Sequence, residues 1–253
     1  MLNMPSLETA RLRIRPFMME DLPDIHRILD VELGEADLRT DRMDSLSERA
    51  EWLQWTVLNT VQLARLRQPP YGDRAAILKT SGQLIGACGY VPCLSVFEQL
   101  PGFASGDLSA GPGLNSTEFG LFYAISPAHQ RRGYAAEAAQ ALVDYAFSTL
   151  RLKRIIATTT YDNTASMGVM RKIGMRIEKN PLPEPPWLQV VGVLENQESP
   201  GMPAGKYPKW KQKTFSGSYD CWTRTISRCW WMVVGGWMHC WVNKHVPIPT
   251  WTS

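Results

Sequence analysis

Ile125-Ser126-Pro127-Ala128-His129-Gln130-Arg131-Arg132-Gly133-Tyr134-Ala135 stands between an apolar, strand-like stretch and an alanine-rich, helix-like one. The proline stops the strand, and Gly133 hands the chain into a helix whose first backbone N–H groups have no carbonyl partner within it. The helix dipole adds about half a positive charge at that end, so the site attracts anions. With no side chain at Gly133, a pyrophosphate can approach the backbone closely. The stretch therefore reads as a phosphate-gripping turn between a strand and a helix.

Working outward, Thr117–Ile125 is the strand before the turn, and the helix runs from Gly133 to about Leu150 with Ala138, Leu142, Tyr145 and Ala146 facing inward. Arg154–Tyr161 reads as the next strand. Asn163 then caps a short helix that Gly174 ends. Met175–Glu178 and Leu188–Glu195 look like two closing strands on either side of the proline-rich Pro181–Pro186. Upstream, Leu12–Phe17 alternates apolar and charged residues as a half-buried strand does, and the proline ends it. Asp21 is an N-cap candidate for a helix carrying Leu22, Ile25 and Leu29. Ser45-Leu46-Ser47-Glu48 has capping-box spacing for a second helix with Leu53, Val57, Val61 and Ala64 as its inner stripe. Arg74–Thr80 and Leu84–Pro92 form a hairpin around Ser81-Gly82-Gln83. Strands alternating with helices after an early hairpin give an α/β layered domain ending near residue 196.

Leu94–Asn115 loses all periodicity, and a loop of that length is either a flap over a substrate opening or a surface insertion. The tail, 197–253, differs in kind. It holds seven of the ten tryptophans and shows neither alternation nor helical spacing. It reads as a Trp-rich segment for a membrane surface or partner, or as a non-native carboxyl end. The net charge of +3 comes from this tail, because the first 197 residues carry 20 Lys and Arg against 22 Asp and Glu. The overall charge therefore says nothing about what the main domain binds, and no nucleic-acid partner is expected. Cys88, Cys93, Cys221, Cys229 and Cys240 form no CxxC pair and read as reduced thiols. Cys229, His239, Cys240 and His245 fit no common metal-ligand spacing, so no metal is expected. The first residues lack a signal-like apolar core, and no stretch reaches the roughly 18 to 20 apolar residues of a spanning helix. A cytoplasmic protein is expected, with no membrane contact unless the tail anchors it.

Gln130-Arg131-Arg132-Gly133-Tyr134-Ala135 matches a Gln/Arg-x-x-Gly-x-Gly/Ala pattern, joined by Glu118-Phe119-Gly120 on the preceding strand, Asn163-x-x-Ser166 after the next strand, and Lys172-Ile173-Gly174-Met175. In that order and spacing, these motifs resemble the GNAT superfamily of acyl-CoA-dependent N-acetyltransferases. The opening Leu7–Pro16 is similar to the branch that includes ribosomal-protein N-terminal acetyltransferases. The resemblance covers roughly residues 6–196. It implies a mixed, largely antiparallel central sheet with a splayed strand pair and flanking helices. It also implies acetyl-CoA as acyl donor, with Gln130, Arg131, Arg132, Gly133, Tyr134 and Ala135 around the pyrophosphate. Tyr123, Ala124 and Ile125 would then face the pantetheine arm, and Asn163 would bond it. No Walker-type or Rossmann glycine motif occurs in a suitable context, which disfavours nucleotide hydrolysis and hydride transfer.

By the same resemblance, Ser166 sits where some members place the hydroxyl that protonates the departing thiolate. Many relatives carry a tyrosine four residues later, where this chain has Met170. That leaves Ser166, a water or Tyr161 as donor, or an impaired step. Glu118 is the carboxylate best placed to take the amine's proton, or else it pairs with a neighbouring arginine. The expected activity is direct transfer of acetyl from acetyl-CoA to a primary amine, a protein N-terminus or a small molecule, in a ternary complex. The alternative is a non-catalytic acyl-CoA-binding or sensing module.

Overall fold

The structure, a computed structural model, describes residues 4–34, 42–103, 114–197 and two short strands within 231–240. Eight strands form one sheet: β1 (Leu7–Glu8), β2 (Leu12–Pro16), β3 (Gly72–Leu78), β4 (Leu84–Ser95), β5 (Ser116–Ile125), β6 (Arg154–Thr159), β7 (Arg176–Lys179) and β8 (Val190–Glu195), in the order β1-β2-β3-β4-β5-β6-β8-β7. Every neighbouring pair is antiparallel except β5 and β6. Those two meet in parallel at Gly120 and Ile156 alone, then part. The mixed, largely antiparallel sheet and its splayed strand pair are thus as the sequence implies.

Side chains alternate faces along each strand, and this alternation builds the layers. On β3, Ala76 and Leu78 join one apolar cluster while Ala75 and Ile77 join another. The first cluster takes Ala138, Leu142 and Ala146 of α3 (Tyr134–Ser148), with Met170 of α4 (Thr164–Lys172). The second takes Ile25 of α1 (Leu22–His26), Ile28 and Leu29 of the wider turn that follows, and Leu53 of α2 (Leu46–Arg65). Phe97, Leu100 and Leu188 cover Ile156, Val191 and Val193 in a third cluster.

Three details depart from expectation, each because a polar side chain or an unpatterned apolar one decides the local structure. Asp21 stands at the N-cap position of α1 as expected, but its side chain makes no cap bond there. A tight turn over Met19–Asp21 starts the helix earlier, and the Asp21 carboxylate accepts from Met18 N–H and from two Arg15 nitrogens at 2.7 Å each. Ser45 does cap α2, accepting from Glu48 N–H, but the helix buries Arg49, Leu53, Thr56, Leu63 and Ala64 and leaves Val61 exposed. Arg49 is drawn inside by Asp30, each only 2 % exposed. Finally, β4 continues to Ser95, and Phe97 and Leu100 are fully buried although 94–103 shows no period.

The chain divides into two units, 1–201 and 202–253. In the second, β9 (Trp231–Val234) and β10 (Trp237–Cys240) pair as an antiparallel ladder. Cys221, Cys229 and His245, and most of the 94–115 segment after Phe103, lie outside the described residues. No helix among the described residues is long and apolar enough to cross a membrane.

Candidate active site

The turn after β5 is held by its own polar groups. Ser126 N–H donates to Ile85 O at 2.8 Å, and the Gln130 amide donates to Ile125 O at 2.9 Å, closing the loop around Pro127–His129. Gln130 therefore shapes the turn with its side chain. Arg131 and Gly133 both take left-handed backbone angles, φ 58° and 83°. Gly133 caps α3, and the first backbone bond of that helix is Glu137 N–H to Gly133 O. The amides of Tyr134, Ala135 and Ala136 precede it and so lack an intrahelical acceptor. A Cβ at Gly133 would lie 3.4 Å from both Arg11 Nη2 and Lys172 Nζ. Two cations thus flank the glycine, while Arg131 and Arg132 are exposed.

Arg11 comes from the turn between β1 and β2, and sequence reading gave it no part in the site. Its guanidinium donates to Arg132 O at 2.9 Å and to Glu137 at 2.6 Å, and lies 4.4 Å over the Tyr134 ring. Burial works to raise the Glu137 carboxyl, yet bonds from Thr9 and from the Arg11 amide and guanidinium hold it below the usual range. This neutralises a carboxylate that would otherwise oppose an anion at the helix start. A lone glutamate in the first turn of a helix gives no sequence signal of its partner 126 residues away.

Past Gly120, the edge of β5 that faced β6 pairs with no strand among the described residues, while its other edge stays on β4 through Tyr123↔Cys88, Ala124↔Ala87 and Ile125↔Gly86. Tyr123 sits in this opening and reaches α4: its Oη is 3.0 Å from Ser166 Oγ and 3.1 Å from Ser166 O. Burial pushes the Tyr123 phenol up, against the bond from Ser166. Asn163 caps α4 through Oδ1, which accepts from Ser166 N–H at 2.9 Å. Its amide nitrogen has no side-chain task among the described residues. Met170 is fully buried in the core, and the Tyr161 hydroxyl donates to Asn180 O at 2.7 Å.

At the other end of β5, Glu118 is only 9 % exposed and pairs with Arg154 through both oxygens, one bond being 2.7 Å. Arg154 lies 4.3 Å over the Phe103 ring, and its bond to Glu118 raises its pKa against the effect of burial. Of the two uses open to Glu118 in the sequence, the geometry displays the pairing. Beside Glu118, burial pushes the Cys93 thiol up to about 11, with the carboxylate adding to it. An open cavity of about 350 Å³ lies between Leu94, Ser95, Gln99, Asn115, Glu184 and Trp187. The buried Ser95 hydroxyl has no hydrogen-bond partner among the described residues.

Compared with known families, residues 11–176 match the acetyltransferase (GNAT) domain. The chain belongs to the GNAT acetyltransferase family. It is an acyltransferase, and the splay and the glycine turn are the features its motifs announce. Among curated GNAT-type relatives, the "Uncharacterized N-acetyltransferase p20" of Bacillus licheniformis is 30 % identical over 175 residues, covering 69 % of this chain and 84 % of p20. The "Uncharacterized N-acetyltransferase YnaD" of Bacillus subtilis is 50 % identical over 56 residues, 22 % of this chain and a third (33 %) of YnaD. Among solved structures, the ribosomal-protein-S5-alanine acetyltransferase from Vibrio fischeri shares the fold at TM-score 0.55 and 16 % identity, over 76 % of this chain and 97 % of its own.

Proposed function

We propose that the chain is an N-acetyltransferase that moves acetyl from acetyl-CoA directly to a primary amine, with residues 1–196 as the catalytic domain. The observation that carries this reading is the junction at Gly133: a left-handed residue, free helix amides and two flanking cations, placed one turn beyond the opening between β5 and β6. The pyrophosphate would lie on the amides from Arg131 to Ala136, with Arg131 and Arg132 adding charge. The pantetheine arm would follow Tyr123, Ala124 and Ile125 into the splay, where free main-chain groups meet the developing oxyanion. Asn163 would offer its amide nitrogen to the same arm.

Holding thioester and amine together supplies much of the acceleration, and no cysteine lies in these motifs to carry the acetyl group. Ser166 protonates the departing thiolate. A lysine amine has a pKa of about 10.4 and an α-amino group about 7.7 to 8, so an N-terminal amine needs far less help to lose its proton. We therefore favour a protein N-terminus or a small amine of similar basicity, with Glu118 acting through water while Arg154 keeps its pair. Incubation with acetyl-CoA and an amine and peptide panel, read by mass spectrometry and thiol release, tests this. Acetylated amine with stoichiometric free CoA supports it. Tight coenzyme binding with no thiol release would instead mark a non-catalytic acyl-CoA-binding module.

A further inference from the structure

Taking the acetyl-transfer reading as given, we propose that Tyr123 is a positioning residue that holds and stabilises Ser166 as Ser166 gives its proton to the thiolate. A lone serine hydroxyl is a poor acid, and something must receive the charge its oxygen gains. Met170 has no proton to give and is buried in the core, and Tyr161 spends its hydroxyl on Asn180. Among the described residues, Tyr123 places a hydroxyl within hydrogen-bond reach of Ser166 Oγ. Its Oη stands 3.0 Å from Oγ and 3.1 Å from the Ser166 carbonyl oxygen. One phenolic proton thus has two acceptors within reach, separated only by rotation about the C–O bond.

At rest the phenol donates to the carbonyl oxygen and accepts from the Ser166 hydroxyl, which turns its proton toward the sulfur as the thioester opens. As the amine nitrogen bonds to the acetyl carbon and the C–S bond breaks, sulfur takes the bonding pair and the Oγ proton. The phenol then turns its own hydrogen bond to Oγ. The proton that the nitrogen sheds restores Ser166 through solvent, so the count closes with an amide and a free thiol and no redox partner. Asn163 fixes the other side of Ser166 by accepting from its N–H at 2.9 Å. Strand and helix thus hold the serine between them, across the gap where β5 and β6 part.

The test is a double-mutant cycle on the full chain with acetyl-CoA and an amine that the wild type acetylates. Tyr123→Phe should lower kcat by roughly tenfold, as the loss of one such bond in the transition state implies, while KM for acetyl-CoA stays within about twofold. In a Ser166→Ala background the same change should cost nothing further. Equal losses in both backgrounds, or a raised KM with kcat intact, would overturn the assignment. If Tyr123→Phe fails to fold, 3-fluorotyrosine at this position provides a more acidic phenol. It should raise kcat without moving KM, and an unchanged kcat would count against Tyr123. A wild type that transfers acetyl normally alongside an unaffected Tyr123→Phe sinks this proposal alone; a wild type that binds coenzyme but releases no thiol with any amine sinks the acetyl-transfer reading as well.

Discussion

The two ends of β5 are built from different materials. At its carboxyl end, the site is main chain: a left-handed glycine and a helix start, with side chains serving as braces. At its amino end, around Glu118, it is side chain: a buried carboxylate on an arginine that stacks on a phenylalanine. Main-chain sites depend on a few residues close in sequence, and side-chain sites on partners far apart. The first kind therefore survives changes that preserve backbone angles, and the second fails when either partner is lost.

The largest expected effect comes from breaking the side-chain end. Arg154→Met strands the Glu118 carboxylate in a buried place and should cost about 3 kcal/mol of stability, measured by urea unfolding near neutral pH. An unfolding midpoint unchanged from wild type would refute the pair as a source of stability. At the main-chain end, Gly133→Trp must place a bulky side chain at φ 83° between Arg11 and Lys172. It should weaken coenzyme binding by about 100-fold, close to 2.7 kcal/mol by calorimetry, with the fold retained.

How much was legible follows the same division. The turn, its glycine, the Asn163 cap and the strand–helix order could be read because each is written in residues a few positions apart. The partners in Asp30 with Arg49, Glu118 with Arg154, and Glu137 with Arg11 could not be named from sequence, although an arginine for Glu118 was one of its two readings, since a charge on a helix or strand looks solvated until a residue far along the chain is brought to it. The Tyr123 hydroxyl escaped for a similar reason: on a strand of apolar neighbours, a tyrosine reads as core, and only the placement of α4 shows where its oxygen ends. On α2 the expected Leu53, Val57 and Ala64 do face the core, whereas Val61 is exposed and Arg49 is buried on Asp30, a partner that an apolar row does not announce.

Two smaller changes sharpen the contrast. Glu118→Gln removes the charge but not the shape, and if Glu118 relays the amine's proton, kcat should fall about tenfold at pH 6.5 and recover as pH passes the acceptor's own pKa. A loss independent of pH would restrict Glu118 to its pair with Arg154. Arg11→Ala removes the guanidinium from Glu137 beside the anion turn while the Thr9 hydroxyl and the backbone N–H of position 11 still bond it, and coenzyme affinity should drop by only about three- to tenfold because the helix amides remain. Glu137 is held below its ordinary pKa, so its contribution to stability is complete above about 4.3 and is lost as pH falls through the depressed value. Acid titration of the wild type should show that loss, and Arg11→Ala should show less of it.

Amide chemical shifts during a coenzyme A titration test the central claim most directly. The largest changes should fall on the backbone N–H groups from Arg131 to Ala136, with smaller ones at Tyr123–Ile125 and Asn163. Saturating coenzyme that leaves those amides unmoved, or moves chiefly those around Ser95 and Trp187, would contradict the placement of the diphosphate on the start of α3.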